Sequence, residues 1–148
     1  MTPAIAFYDR ATRKISALLS QDLLLLIARL GIAGLFFLSG RTKVVGTFHI
    51  TEGTYELFRS EYALPIVQPE LAAVAATTAE HVFPVLLVLG LCTRVSALAL
   101  LTMTLIIQIF VYPGAWSTHL SWAAILLPLI ANGGGSWSFD AIISKNSS

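Results

Sequence analysis

An ionisable pair, Glu80 and His81, stands at the middle of an apolar stretch, LAAVAATTAEHVFPVLLVLGL (71–91). About 20 apolar residues, at about 1.5 Å rise each, match the roughly 30 Å hydrocarbon core of a bilayer. A charged side chain at that depth costs on the order of 2.5–3.5 kcal/mol on an insertion scale. A helix that keeps a carboxylate there needs a partner or a task for it, and what can face Glu80 constrains the rest of the chain.

Three further stretches have the length and apolarity to span: 22–40, interrupted by Arg29, 95–112, which is uncharged, and 116–132. Only 11% of the 148 residues are charged, against roughly 25% in soluble domains. Together these predict a single all-α domain, an integral membrane four-helix bundle with short second and third connections that make consecutive helices antiparallel. The net charge of +1 argues against nucleic acid as a partner, which calls for a basic patch or stripe. Cys92 is the one cysteine, so paired-thiol chemistry and an intramolecular disulfide are ruled out; alone, it reads as a small buried hydrophobe.

Outside the spans, residues 2–20 place Ala4, Ile5, Phe7, Tyr8, Ala11, Ile15, Leu18 and Leu19 on one helical face. Asp9, Arg10, Arg13, Lys14 and Ser16 occupy the other. This is the pattern of a helix lying in the membrane interface, and a solvated helix tucked under the bundle is the plainer reading. Residues 41–68 form the one long polar connection, with a short amphipathic helix expected over roughly 52–62, stopped by Leu64–Pro65. After the fourth span comes GGGSWSFD and a short hydrophilic tail (133–148). Lys and Arg favour the side of both termini, with Arg10, Arg13, Lys14, Arg94 and Lys145 against Arg41, Lys43 and Arg59. That bias predicts cytoplasmic termini and an outer 41–68 segment.

With the helix ends aligned, Arg29 lies about 7 Å below the level of Glu80. An Arg29–Glu80 ion pair is therefore expected, as a clamp between helices or as part of a functional centre. His81, turned about 100° from Glu80, is the ligand or proton-relay candidate. Gln108 and Tyr112 approach the outer side of that interior from the third span, along a stripe with Thr104. His119 and Trp122 reach it from the fourth. These residues outline a cavity open toward the outer leaflet, polar at its base and aromatic at its rim. His81 and His119 differ in depth by about 12 Å, which rules out a shared haem, and three dispersed histidines give no zinc site.

RLGIAGLFFLSGRTKV (29–44), AEHVFPVLLVLGLCTRVSALAL (79–100), VYPGAWSTHLSWAAILL (111–127) and GGGSWSFD (133–140) resemble the DoxX family of small bacterial membrane proteins. The resemblance implies a four-helix protein of the bacterial cytoplasmic (inner) membrane, related to the small membrane subunit of a thiosulfate:quinone oxidoreductase. Its recurrent polar positions match Arg29, Gly40, Lys43, Glu80, Gly90, Arg94, His119, Trp122 and Asp140 here. It also implies work as a subunit of, or accessory to, a membrane oxidoreductase, with quinone as the ligand and a partner subunit as electron source. A small-solute or ion transport component and a structural anchor without chemistry are the alternatives.

Overall fold

A computed structural model of the chain describes residues 3–146, and the side chains of all of these but 3, 4, 6 and 11. Thr2 and the side chains of Ala4 and Ala11, part of the amphipathic pattern above, lie outside the described residues. The elements in order are α1 (Pro3–Leu18), α2 (Gln21–Arg41), a hairpin of β1 (Val44–Val45) and β2 (His49–Ile50), α3 (Glu52–Ser60), α4 (Pro69–Leu89), α5 (Thr93–Ile106), α6 (Trp116–Asn132) and α7 (Phe139–Asn146). A π turn at Ile107–Val111 extends α5, and a 3-10 turn at Pro113–Ala115 leads into α6. Among the described residues, four helical segments, Gln21–Arg41, Pro69–Leu89, Thr93–Val111 and Pro113–Asn132, are long and apolar enough to cross a membrane. The protein is an all-α four-helix membrane bundle.

Local chemistry fixes the helix ends. Ser20 caps α2 by accepting from the Leu23 N–H, and Thr51 does the same for α3 through Thr54. Pro69 opens α4 where no donor is needed, and Gly90 closes it in the left-handed region at φ 68°. The first donors of α5 are met from outside the helix. Asp140, at the start of α7, accepts from both Cys92 N and Thr93 N at 2.8 Å. Arg94 turns back to donate to the Ile130 carbonyl at 2.8 Å. Cys92 is exposed in this turn, not buried, because the turn puts it at φ 49° and away from the core.

α2 packs against α4 and α6, and α5 packs between α4 and α6. Ile32, Phe36, Leu87, Leu100, Leu126 and Leu129 meet in a dry core. Leu24, Ile27, Leu30, Val82, Val85, Val88, Leu98 and Leu105 face outward, as they must where the solvent is hydrocarbon. α1 keeps Ile5, Phe7, Tyr8, Ile15 and Leu18 exposed, so its apolar face is not buried under the bundle. It has the surface of a helix lying along a membrane.

The register between α2 and α4 differs from alignment by helix ends. Gly40, at the last turn of α2, lies against the middle of α4. A methyl group at Gly40 would come within 2.9 Å of both Glu80 Cβ and His81 Cε1. The first half of α4 thus projects beyond α2. It is covered by α3, where Phe58 packs with Ala72 and Ala73. The polar connection also contains a hairpin that the sequence reading left out, pairing Val44 with Ile50 and Val45 with His49 around Gly46 at φ 62°. Its strands are two residues each, too short for an alternating pattern to show. Part of the expected hydrophilic tail is helix α7, with Phe139, Ile142 and Ile143 exposed.

Gly40→Ala is expected to lower stability by about 1–3 kcal/mol through overpacking against Glu80 and His81. Gly31→Ala, which meets open space, should show no such loss when thermal unfolding of both is followed in detergent.

Candidate functional site

Glu80 is buried on α4, and its partner is Lys43, not Arg29. Lys43 Nζ lies 2.7 Å from Glu80 Oε2, and both side chains are more than nine-tenths buried. Ser39 closes the arrangement. Its hydroxyl donates to Glu80 Oε1 at 3.1 Å and accepts from Lys43 Nζ at 3.2 Å. The ammonium also reaches the Ser39 carbonyl at 3.3 Å. Thr54 Oγ1 holds the Lys43 backbone by donating to its carbonyl at 2.9 Å.

Arg29 goes the other way for a geometric reason. Side chains on a helix lean toward its N-terminus. Arg29 on α2 therefore leans toward Gln21, while Glu80 on antiparallel α4 leans toward Pro69, and the two diverge. Arg29 is 1% exposed and donates through Nη2 to the Trp137 carbonyl at 2.7 Å. Its Nη1 occupies the space a side chain on Gly90 would need. Arg29 thus locks the segment before α7 onto the termini end of the bundle.

His81 lies beside the ion pair but outside it. Its Nδ1 is 2.7 Å from the Thr77 carbonyl, which can only accept, so Nδ1 carries the proton. Phe37 and Phe48 meet the ring edge-on, with centroids at 5.5 and 5.3 Å. Gln108 and His119 do come together. His119 Nδ1 donates to Gln108 Oε1 at 2.6 Å, and the Gln108 amide donates to the Pro113 carbonyl at 2.7 Å. Trp122 meets the His119 ring edge-on and reaches Phe36 in the same way. Tyr112 belongs to a third group: its hydroxyl donates to Glu61 and lies 3.5 Å from that of Tyr62. These contacts, the Glu61 carboxylate first, raise the Tyr112 phenol well above its usual range. The phenol keeps its proton, and so ties α3 to the end of α5, until strongly alkaline pH. Arg59 is likewise raised by its bonds to Glu70, Glu52 and Glu56.

The expected single cavity rimmed by Gln108, His119 and Trp122 is not what these helices build. A cavity of about 310 Å³ lies between α3, α4 and α5. Ala72, Ala75, Ala76 and Ala79 of α4 make one wall and Ala99, Met103 and Ile106 of α5 another, under Phe58 and Tyr62. Lys43 and Glu80 form its polar end. Alanine on α4 leaves this space unfilled. Ala75, Thr102 and Ile106 are exposed at the edges of the walls, so the cavity opens sideways into the bilayer plane. In the sequence Lys43 was readable as a charge following a span and as one of the positions matched by the resemblance, but not as the partner of Glu80. Its proximity to Glu80 comes from the stagger of α2.

A protein-family model described as DoxX matches residues 24–113, more than half of the chain. The chain belongs to the DoxX family. Every residue lining the cavity falls inside the matched region, whereas His119, Trp122 and Asp140 lie beyond it. Searches of curated proteins and of solved structures give no significant match.

Removing one member of the DoxX-region pair leaves the other buried and uncompensated. Lys43→Met is expected to cost about 3–5 kcal/mol, and Lys43→Met/Glu80→Gln together much less. Unfolding midpoints of the three proteins in one detergent check this.

Proposed function

We propose that this DoxX protein binds a quinone-like ring in the α3–α4–α5 cavity and serves as a membrane subunit of, or accessory to, an oxidoreductase. The observation carrying this reading is the buried Lys43–Glu80 pair at the end of an apolar cavity that opens laterally. Its volume of about 310 Å³ lies within the roughly 300–1,000 Å³ of small-molecule pockets. A lateral opening admits ligands dissolved in the membrane. A quinone ring offers only acceptors, and the Lys43 ammonium can exchange its longest contact, to the Ser39 carbonyl, for a ligand carbonyl. Glu80 is the group that can take up or return a proton there. Electrons come from a partner subunit or from quinol, and the Lys and Arg bias supports an orientation with cytoplasmic termini.

Duroquinone binding to the purified protein in lipid nanodiscs tests the reading. Lys43→Met/Glu80→Gln, which removes both charges and the ammonium donor while keeping side-chain size, should bind at least about tenfold more weakly, as expected for loss of a charged hydrogen bond. Ala76→Leu, which fills the cavity, should bind more weakly still, and His119→Gln should bind like the parent. Undiminished affinity in both the double variant and Ala76→Leu would remove the cavity as the site.

A further inference from the structure

His81 is left with an unsatisfied atom. Its Nδ1 proton goes to Thr77, and Nε2 is buried without a hydrogen-bond partner among the described residues. The residue is 5% exposed. In the neutral ring Nε2 is a lone pair, so only a donor can satisfy it. A buried acceptor left open costs about 1–3 kcal/mol.

The surroundings indicate where a donor would come from. At 100° per residue, Thr77, His81, Pro84, Val85 and Val88 share one face of α4. This is the side opposite Ala72, Ala76 and Ala79, which line the cavity. On it a groove of about 290 Å³ runs between α2 and α4, lined by Ala33, Gly34, Phe37, Pro84, Val85 and Val88 among others. Its walls carry no charged side chain, and Val85 and Val88 are nearly half exposed to the membrane side. Gly34 gives the groove its depth, since a Cβ there meets nothing within 4 Å. Phe37 closes the end, with its ring against that of His81. Phe37 and Phe48, the rings that flank His81, are themselves 37% and 66% exposed, and Phe37, which both lines the groove and touches the His81 ring, is the side chain that must turn to admit a donor.

We propose that this groove is a second site, separate from the cavity, for a membrane-soluble compound with an apolar body and a hydroxyl donor of the alkylphenol class. Its O–H donates to His81 Nε2, and its body lies along Gly34 and Val85. A carbonyl-only ligand leaves the lone pair unmet, and an anionic head would enter an uncharged groove without a cation.

The test uses the full chain in lipid nanodiscs with ¹⁵N-labelled histidine, titrated with 4-octylphenol and with its methyl ether. The ether has the same apolar body and no donor. The phenol should shift the His81 Nε2 resonance, identified by its loss in His81→Gln, and bind about tenfold more tightly than the ether. Gly34→Leu, which fills the groove, should abolish that shift. Gly31→Leu, also into open space, and Ala76→Leu in the cavity should preserve it. Equal affinity for phenol and ether, or an unmoved His81 resonance at saturation, overturns the proposal. So does a shift that survives Gly34→Leu and disappears in Ala76→Leu. Because Ala76→Leu acts on the quinone cavity alone, failure there and failure here are read separately.

Discussion

The buried ion pair between Lys43 and Glu80 is the contact on which the rest of the arrangement depends. A lone carboxylate or ammonium in hydrocarbon is costly, and pairing offsets that cost only when the remaining hydrogen-bonding capacity is also met. Ser39 meets it by donating to one partner and accepting from the other. Close approach of α2 to α4 makes the geometry reachable, and Gly40 permits it. Since Lys43 follows the end of α2 and Glu80 sits mid-way along α4, the pair exists only with the two helices staggered. The stagger exposes the first half of α4, and α3 and the hairpin cover what α2 cannot.

The same stagger divides α4 into two working faces. One face, of alanines, leaves a cavity that ends on the ion pair. The other packs against α2 and carries Thr77 and His81. Glu80 and His81, neighbours in sequence, therefore serve different spaces. The group around His119 is self-contained by comparison: Gln108 satisfies its Nδ1, Trp122 covers its ring, and neither residue lines the cavity.

The four spans were legible because twenty-residue apolar runs have few other fates, and their limits held to within a few residues. Glu80 was legible as an anomaly for the same reason. Its partner was not. The expectation of Arg29 rested on aligning helix ends, and periodicity carries no information about how far one apolar helix slides along another. That sliding is decided by small residues at contact points, such as Gly40 and Gly90, and by the direction in which long side chains lean. The hairpin escaped notice because two-residue strands show no alternation, and α7 because eight residues after a glycine run look like a tail. Cys92 was misread because a lone cysteine in an apolar chain resembles a core residue until its turn is seen.

The separation of the paired charges along the chain has a consequence for biogenesis. Lys43 and Glu80 are 37 residues apart, and the chain emerges from the ribosome with α2 and Lys43 first. Before α4 is in place Lys43 lacks this counter-charge, and an unpaired ammonium is favoured at the lipid headgroups over hydrocarbon. Beside Glu80 the cost of burying that ammonium is offset. The pair can therefore form only once both helices are in place.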